Sequence, residues 1–255
     1  MDIYVTQFIL FLLIFARIIS MVALAPVFGH SAVPVQVKIA LSLFFAFVLY
    51  AFVGHNTPPP DVRLLPVVIL VLQELLIGVT IGFALGLLFA GMRYAGEIIG
   101  FDMGLSMAQA YDPDNAQQTP LLGDMLYLLA MLVFLSVNGH HFVLEAIQFS
   151  YRVVPPGHFA FSGRMAGALI NLTGMVFVVA VKIAAPVMVA GFLTNVALSI
   201  LARVMPQMNI FSLSFPLKIG VGLLVLAGSM PLIGVAFRNL LNGFENNILD
   251  LVRVL

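Results

Sequence analysis

The sequence is poor in charge and contains no cysteine, and each shortage excludes a class of protein. Only 9% of its 255 residues are charged, against about 25% in a soluble domain, so the chain cannot cover the surface of a free-standing soluble enzyme with polar groups. Without cysteine there is no disulfide scaffold, thiol nucleophile or thiolate metal site. Eleven basic and eleven acidic side chains give zero formal net charge, so no basic footprint indicates nucleic acid as a partner.

Motifs of catalysis and metal binding are also missing from the sequence. It contains no GxSxG, Walker loop, HExxH or paired-carboxylate pattern. Asp112 and Asp114 lack the glycine and distal glutamate of a calcium loop. His140 and His141 have no neighbouring cluster that would complete a metal site. We therefore predict no catalytic residue, no cofactor and no metal.

Apolar residues are abundant: they make up 62% of the chain and gather in six stretches. The stretches are 3–25, 39–53, 64–92, 125–144, 165–202 and 208–237. About 20 apolar residues cross a bilayer as a helix, which fits the first and fourth stretches. The second is short for a span, whereas the third and fifth would reach about 44 and 57 Å at 1.5 Å per residue. We therefore predict membrane-associated helices of uneven length.

Proline and glycine are predicted to interrupt these helices. The alternation of apolar and polar residues that marks strands is absent, so the predicted fold class is all-α. Pro186 lies inside the fifth stretch, and Pro216 and Pro231 lie inside the sixth. Each of them removes a backbone donor and crowds the preceding turn. Asn138-Gly139 is predicted to separate two helical pieces.

Four charged residues lie well inside the apolar stretches: Arg17, Glu74, Lys182 and Lys218. An ionised side chain that faces lipid is costly, so these groups are expected to face protein or water and to be paired. One interpretation is an ion pathway, such as a proton relay between Glu74 and a lysine. The other is a set of ion pairs that fix helix and subunit packing. We favour the second, because Glu74 is the only acid deep inside a stretch.

Two ladders of small residues predict close packing between helices. Their glycines recur every four residues, which places them along one helix face, and small residues at this spacing let another backbone approach. A glycine in a helix interior costs about 1 kcal/mol relative to alanine, so a compensating contact is expected at each position. These glycines are Gly78, Gly82, Gly86, Gly96, Gly100 and Gly104.

A polar interval from 94 to 124 divides the apolar stretches. It contains five acids and no basic residue, and its centre, AYDPDNAQQTP, has the composition of a turn. Apolar residues flank this centre, among them Met103 and Met107 before it and Leu121 and Leu122 after it. Two interpretations follow: a flexible loop that occludes a passage inside a membrane complex, or an ordinary exposed connector.

An ordered set of short sequence blocks covers roughly residues 17 to 222. The blocks are Arg17, APVF at 25–28, VPxxxK at 33–38, IGVTIGF at 77–83, AGEIIG at 95–100, MGLSxA at 103–108, DP at 112–113, NGHH at 138–141, APVMVAG at 185–191 and RVMPQMNIF at 203–211. In this order the blocks resemble the FliR family, the flagellar members of the type III secretion export-gate proteins, and the order makes the set specific. One departure is Asp102, at a position where the resemblance leads us to expect glutamine.

The resemblance implies a non-enzymatic subunit of a protein export gate. It implies a FliP-like portion over residues 1–150 and a FliQ-like helical hairpin over 151–255. It further implies a helical assembly with FliP and FliQ, with FlhB and FlhA as neighbours, through which unfolded flagellar export substrates pass. The expected location is the bacterial inner membrane, in the flagellar basal body, with lipid contact and no nucleic acid.

The resemblance also assigns expected roles to particular residues. A loop over 106–122 is expected to plug the resting pore, with the residues Met103, Ser106, Met107, Tyr111, Asp112, Pro113, Leu121 and Leu122. Charges expected to serve subunit packing are Arg17, Lys38, Glu74, Glu97, Lys182 and Lys218. Two alternatives remain open: a small-molecule secondary transporter with its ion site at Glu74, and an assembly scaffold that lines no pore.

Overall fold

The computed structural model describes residues 2–53, 63–105, 121–159, 163–207 and 209–254. Within these ranges the chain is built from helices and contains no strand, which confirms the all-α fold class. The helices are α1 (Asp2–Leu24), α2 (Val35–Val53), α3 (Leu64–Asp102), α4 (Leu121–Ser136), α5 (Gly139–Val153), α6 (Gly163–Val204) and α7 (Ile210–Val254).

Among the described residues, five helices are long and apolar enough to cross a membrane. They are α1, α2, α3, α6 and α7, and the bent pair of α4 and α5 makes a sixth if it is counted as one span. Helix α2 is longer than the short second stretch of the sequence, because its first turn begins at Val35 and brings the helix to 19 residues. It therefore reaches the length of a span, which the apolar stretch alone does not.

Three helices are much longer than a bilayer is thick. Helices α3, α6 and α7 contain 39, 42 and 45 residues, which corresponds to about 58, 63 and 68 Å at 1.5 Å per residue. Contrary to the expectation of breaks, Pro186 lies inside α6, and Pro216 and Pro231 lie inside α7. A proline removes one backbone hydrogen bond, and both helices continue despite that loss.

The break predicted at Asn138-Gly139 is confirmed. Helices α4 and α5 meet there at an angle of 74°. Asn138 adopts a left-handed conformation with φ 59°, which asparagine tolerates better than most residues. Gly139 is required as well, because a Cβ atom there would meet Cγ of Phe134 at 2.9 Å.

The described residues divide into two compact units, each made of separate parts of the chain. Unit 1 draws on residues 1–87, 134–173 and 242–255, and unit 2 draws on 88–133 and 174–241. The core of unit 1 contains Leu13, Ile14, Ile18, Ile77, Ile81, Ile147, Ile248 and Val252. The core of unit 2 contains Leu88, Met92, Ile99, Leu126, Val179, Ile183, Ile233 and Phe237.

Candidate functional site: a buried ion pair in unit 1 and the end of helix α3 in unit 2

The most polar point of unit 1 is an ion pair between helices α1 and α3. Arg17 Nε donates to Glu74 Oε2 over 2.5 Å, and the two side chains are 1% and 0% exposed. Both residues lie inside helices whose other buried side chains are mostly apolar, such as Ile14, Ile18 and Ile77. Each charge therefore depends on the other for its stability, since an unpaired ion at this depth is strongly unfavourable.

The guanidinium of Arg17 also holds the carboxyl end of helix α5. Its Nη1 donates to the carbonyl oxygens of Ser150 at 3.1 Å and of Val154 at 3.0 Å. The last carbonyls of a helix have no partner within the helix, and they carry the negative end of its dipole. The carbonyl oxygen of Ser150 also accepts from the backbone N–H of Val154 over 2.9 Å, so Arg17 adds a charged second donor there, and its positive charge links α5 to α1.

Glu74 is engaged through both of its oxygens. While Oε2 accepts from Arg17, Oε1 accepts from the backbone N–H of Gly157 over 2.9 Å. Gly157 has φ +82°, a backbone conformation that favours glycine and forms the turn after α5. The carboxylate therefore connects α3 to this turn as well as to α1.

Tyr151 completes the cluster from helix α5. Its ring lies 4.2 Å from Cζ of Arg17, measured to the ring centroid, which is within the range of a cation–π contact. Its hydroxyl donates to the carbonyl oxygen of Ile14 over 2.9 Å. The cluster of Arg17, Glu74, Ser150 and Tyr151 thus joins three helices through polar contacts in an otherwise apolar core.

Glycines of α3 make the close approach of α1 and α3 possible. A Cβ atom at Gly78 would collide with the hydroxyl of Ser20 and the carbonyl oxygen of Arg17, and one at Gly82 would lie 2.7 Å from the carbonyl oxygen of Met21. Gly86 is different, because its nearest neighbour would lie at an ordinary 3.6 Å. The two helix backbones therefore touch over two turns and then separate.

The geometry of this cluster suits packing better than ion movement. Both Glu74 oxygens accept hydrogen bonds, and the partner of Glu74 is an arginine, a side chain that stays protonated in proteins. Within the described ranges no group of three histidine, aspartate or glutamate side chains is placed to hold a metal ion. The arrangement is that of a structural ion pair.

In unit 2, the carboxyl end of α3 is packed tightly. The carboxylate of Asp102 lies against Gly191 of α6, where a Cβ atom would come within 2.7 Å of its Cγ. Met103 is buried, and a Cβ at Gly222 of α7 would lie 2.7 Å from its Cγ. Gly104 follows with φ +79° against the ring of Phe215. Glycines thus provide the space into which this end of α3 fits.

Only part of the predicted plug falls within the described residues. Met103 is buried at the end of α3, whereas Leu121 and Leu122 open helix α4, the first 74% exposed and the second 5% exposed. Gly96 lies beside Leu122 and Gly123, and a Cβ atom at Gly96 would lie only 2.5 Å from Cα of Gly123. A Cβ atom at Gly100 would lie 3.9 Å from its nearest neighbour, which is an ordinary van der Waals distance. Ser106, Met107, Tyr111, Asp112 and Pro113 lie outside the described residues.

The remaining predicted charges have different surroundings. Lys38 is half-buried and donates from Nζ to the carbonyl oxygen of Gly29 over 2.8 Å. Glu97 and Lys218 are half-buried and Lys182 is exposed, and within the described part of the chain none of these three forms an ion pair. Their role in subunit packing stays a prediction.

Sequence reasoning missed half of the buried cluster. Ser150, Tyr151 and Gly157 were not singled out, because no local pattern distinguishes them from other residues at a helix end. The rings of the adjacent residues His140 and His141 also lie close together, with centroids 4.3 Å apart. A signal for the cluster did exist in Arg17 itself, since a charge inside an apolar helix requires partners elsewhere in the chain.

The fold and this cluster define a helical membrane protein whose deepest charges are bonded to its own helices. The chain belongs to the family of bacterial export proteins, family 1, whose model matches residues 8–244. This match and the curated relatives confirm the resemblance to the FliR family.

Several relatives carry the name flagellar biosynthetic protein FliR and match along most of their length. The one from Bacillus subtilis strain 168 is 34% identical over 234 residues, which cover 90% of this chain and 89% of the relative. The one from Escherichia coli K12 is 31% identical, with coverage of 92% and 90%. The one from Aquifex aeolicus is 30% identical, with coverage of 89% and 88%.

Proposed function

We propose that this chain is a subunit of the flagellar type III protein export gate and that it forms, with FliP and FliQ, the pore for unfolded flagellar subunits. The observation that carries the proposal is the full-length similarity to proteins named flagellar biosynthetic protein FliR, together with the export-family match over residues 8–244. Such a subunit is required for flagellum assembly and has no catalytic activity of its own.

The lengths and surfaces of the helices support a place in a multi-subunit assembly. Helices α6 and α7 exceed the roughly 30 Å hydrocarbon core of a bilayer about twofold. Large apolar side chains remain exposed along them, including Phe192 and Leu224. Lipid alone cannot cover helices that extend beyond the bilayer, whereas neighbouring subunits can.

The proposed mechanism is that of a passive gate. The chain forms part of the pore wall and the loop that closes the resting pore. The energy for export comes from an ATPase and from the proton motive force acting on other components. The alternative, a secondary transporter with an ion site at Glu74, requires a carboxylate that is free to change partners. Glu74 instead accepts from Arg17 and Gly157 at the same time, which favours the gate.

We further propose a location and additional partners for the protein. It lies in the inner membrane, within the flagellar basal body, with FlhB and FlhA as additional neighbours. We also propose that residues 1–150 form a FliP-like portion and 151–255 a FliQ-like helical hairpin. The resemblance to the FliR family supports each of these proposals.

Affinity purification of the tagged chain in mild detergent tests the proposal. We expect FliP and FliQ to co-purify in constant proportion. A photo-crosslinking residue at Tyr111, in the proposed plug, is expected to form an adduct with the substrate in cells with a stalled export substrate. Co-purification without any substrate adduct would indicate a scaffold, and a chain that purifies alone and transports solute in liposomes would indicate a transporter.

The proposed plug is tested by deleting residues 111–119. We expect cells that produce the whole gate with this deletion to leak small ions, because the seal around the resting pore is incomplete. Membrane conductance or potassium efflux measures the leak, and cells that lack the other gate subunits are the control. Unchanged conductance in an assembled gate would contradict the plug.

A further inference from the structure

The turn between helices α1 and α2 holds one residue in a strained backbone conformation. Val27 has φ 68°, and the N–H of Phe28 donates to the carbonyl oxygen of Pro26 over 2.8 Å. A three-residue turn of this kind, with a positive φ at its centre, is rare and strained. Val27 is also β-branched, which makes a positive φ exceptional. Such strain persists only where the surrounding structure holds the residue in place.

A lysine of α2 supplies one contact that holds this turn. Lys38 lies in the first turn of α2, and its Nζ donates to the carbonyl oxygen of Gly29 over 2.8 Å. The N–H of Gly29 donates in turn to the carbonyl oxygen of Ala25 over 2.8 Å, so Lys38 is joined to the segment that closes around Val27. A hydrogen bond from a charged donor is stronger than one between neutral groups. This bond is lost if α2 moves away from the turn.

The rest of α2 is weakly attached to the protein. It packs on α1, but of its 19 residues only Ser42 and Ala46 are buried, and both side chains are small. At the far end of α2, the ring of Tyr50 meets the ring of Phe11 of α1 edge-on, with centroids 6.2 Å apart. Each pair of packed atoms contributes little, so the attachment of a helix depends on how many atoms it buries. Helix α2 can therefore separate from α1 at a low cost.

From these observations we infer that the turn is a strained hinge that gives α2 a second position, away from α1. In the seated position Val27 is strained and Lys38 is bonded to Gly29. In the released position that bond is broken and Val27 relaxes. Pro26 and Pro34 lie at the two ends of the turn, and their fixed φ angles confine the backbone change to the residues between them. The inference does not depend on the proposed function, because it concerns contacts within this chain.

Two opposing contributions set the balance between the seated and the released position. The strain at Val27 favours the released position, and strain of this kind changes a two-state equilibrium roughly five- to thirtyfold. The hydrogen bond from Lys38 favours the seated position, and a bond from a charged group changes the equilibrium about tenfold or more. Removing one contribution therefore moves the balance in one direction, removing the other moves it back, and removing both leaves it between these limits.

Cysteine reactivity measures the released population, because the chain contains no cysteine of its own. Ser42→Cys places a nearly isosteric thiol at a fully buried position of α2, where N-ethylmaleimide reaches it only after release. Leu43→Cys, at the exposed neighbouring position, reports the intrinsic reactivity of a thiol on α2. Ala146→Cys, at a buried position of α5 in the same unit, reports any general loosening of unit 1. Alkylation rates are compared for the full chain in mild detergent.

The two contributions are removed one at a time in the Ser42→Cys chain. Lys38→Met keeps the length of the side chain and removes its charge, and we expect it to raise the alkylation rate about tenfold or more. Val27→Gly removes the strain and is expected to lower the rate about fivefold or more. With both substitutions the rate is expected to lie between those of the single variants. Val37→Gly is the control for glycine itself, because it relieves no strain and is not expected to lower the rate.

A second buried position distinguishes a hinge from fraying of the first turn of α2. Ala46→Cys lies one turn further along the helix than Ser42→Cys and is equally buried. A hinge at the turn moves α2 as one body, so Lys38→Met is expected to accelerate alkylation at both positions by the same factor. Acceleration at Ser42→Cys alone would mean that only the start of the helix opens, and the inference is then wrong.

Three further results would overturn the inference. An unchanged rate in Lys38→Met would show that its bond does not hold α2, and a rate that does not fall in Val27→Gly would show that strain does not favour release. Equal acceleration at Ser42→Cys and Ala146→Cys would show that unit 1 opens as a whole. If Lys38→Met does not yield a folded chain, Lys38→Gln is judged by the same criteria.

Discussion

Arg17 neutralises the buried carboxylate of unit 1 and contacts several other polar groups there. It pairs with Glu74 and donates to the carbonyl oxygens of Ser150 and Val154. We predict that Arg17→Ala lowers the free energy of unfolding by about 3–5 kcal/mol, because a buried carboxylate loses its partner. Thermal unfolding in mild detergent measures the loss as a lower midpoint.

An exposed ion pair in the same unit is the control for this prediction. Arg253 pairs with Asp250 at 3.0 Å, and the two side chains are 64% and 67% exposed. Exposed pairs contribute at most about 1 kcal/mol, so Arg253→Ala should change the midpoint little. Equal effects of the two substitutions would contradict a special role for the buried pair.

At Val27 we expect a substitution to stabilise the protein, whereas Arg17→Ala is expected to destabilise it. This residue has φ 68°, and it is the centre of a tight turn in which Phe28 N–H donates to the carbonyl oxygen of Pro26 over 2.8 Å. A left-handed conformation costs a residue with a Cβ atom roughly 1–2 kcal/mol, more so when it is β-branched. We predict that Val27→Gly raises the unfolding midpoint.

The control for Val27→Gly is the same substitution at Val37. That residue is exposed in the helix α2, where glycine is unfavourable by under about 1 kcal/mol relative to valine. Val37→Gly should therefore lower the midpoint slightly. A midpoint that falls for both variants would show that the turn at Val27 holds no strain.

At the scale of single residues, the sequence predicted that charges are buried but not which groups pair. Arg17 and Glu74 were singled out because each stands in an apolar helix. Their pairing was not predictable, since it depends on how α1 and α3 lie side by side, and the turn at Gly157 depends in addition on the end of α5. An arginine, and not a lysine, is the partner of Glu74.

At the scale of helices, glycines of α3 decide how closely α1 approaches. A Cβ atom at Gly82 would lie 2.7 Å from the carbonyl oxygen of Met21, whereas one at Gly86 would lie 3.6 Å from its nearest neighbour, the carbonyl oxygen of Leu24. We predict that Gly82→Ala destabilises the protein and that Gly86→Ala stabilises it by up to about 1 kcal/mol through helix propensity. Unfolding midpoints of the two variants in the same detergent provide the comparison.

This pair of variants tests whether α3 needs glycine for its backbone contact with α1 or contains glycine for a reason unrelated to that contact. Both glycines lie in the same helix and at the same four-residue spacing, so a purely compositional reason for glycine predicts equal effects. A stabilising Gly82→Ala would contradict the backbone contact with Met21. Gly78→Ala is expected to be at least as harmful as Gly82→Ala, because its Cβ would collide with both Ser20 and Arg17.

Helix identity was predictable from the sequence, and helix continuity was not. Long apolar runs predicted the helical regions except most of α5 and the end of α7 after residue 237, and Asn138-Gly139 predicted the sharp bend between α4 and α5. Pro186, Pro216 and Pro231 were expected to interrupt helices that in fact continue through them. Local rules account for the hydrogen bond that a proline removes, but they do not include the contacts that the rest of a long helix makes.

At the scale of the whole molecule, the exposed apolar surface predicts dependence on partners. Helix α2 buries only Ser42 and Ala46, and its exposed side chains include Phe44 and Phe47. Binding that is specific for the folded chain raises its stability. We therefore predict that the chain purified within its complex unfolds at a higher temperature than the chain produced alone in the same detergent.

The matched measurement uses one tagged chain, expressed with and without the other gate subunits. The unfolding of this chain alone is followed in both samples as the amount of tagged chain that stays soluble after stepwise heating. An isolated chain that is as stable as the complex would show that the exposed faces are satisfied by detergent or lipid alone.

The long sequence separation within the Arg17 cluster has a consequence for biosynthesis. Glu74 follows Arg17 by 57 residues, and Val154 by 137 residues. At about 5–20 residues per second, the ribosome needs roughly 3–11 s to supply the counterion and about 7–27 s to supply the last acceptor. During that interval the newly made first helix carries a cation without its counterion, which is costly inside lipid.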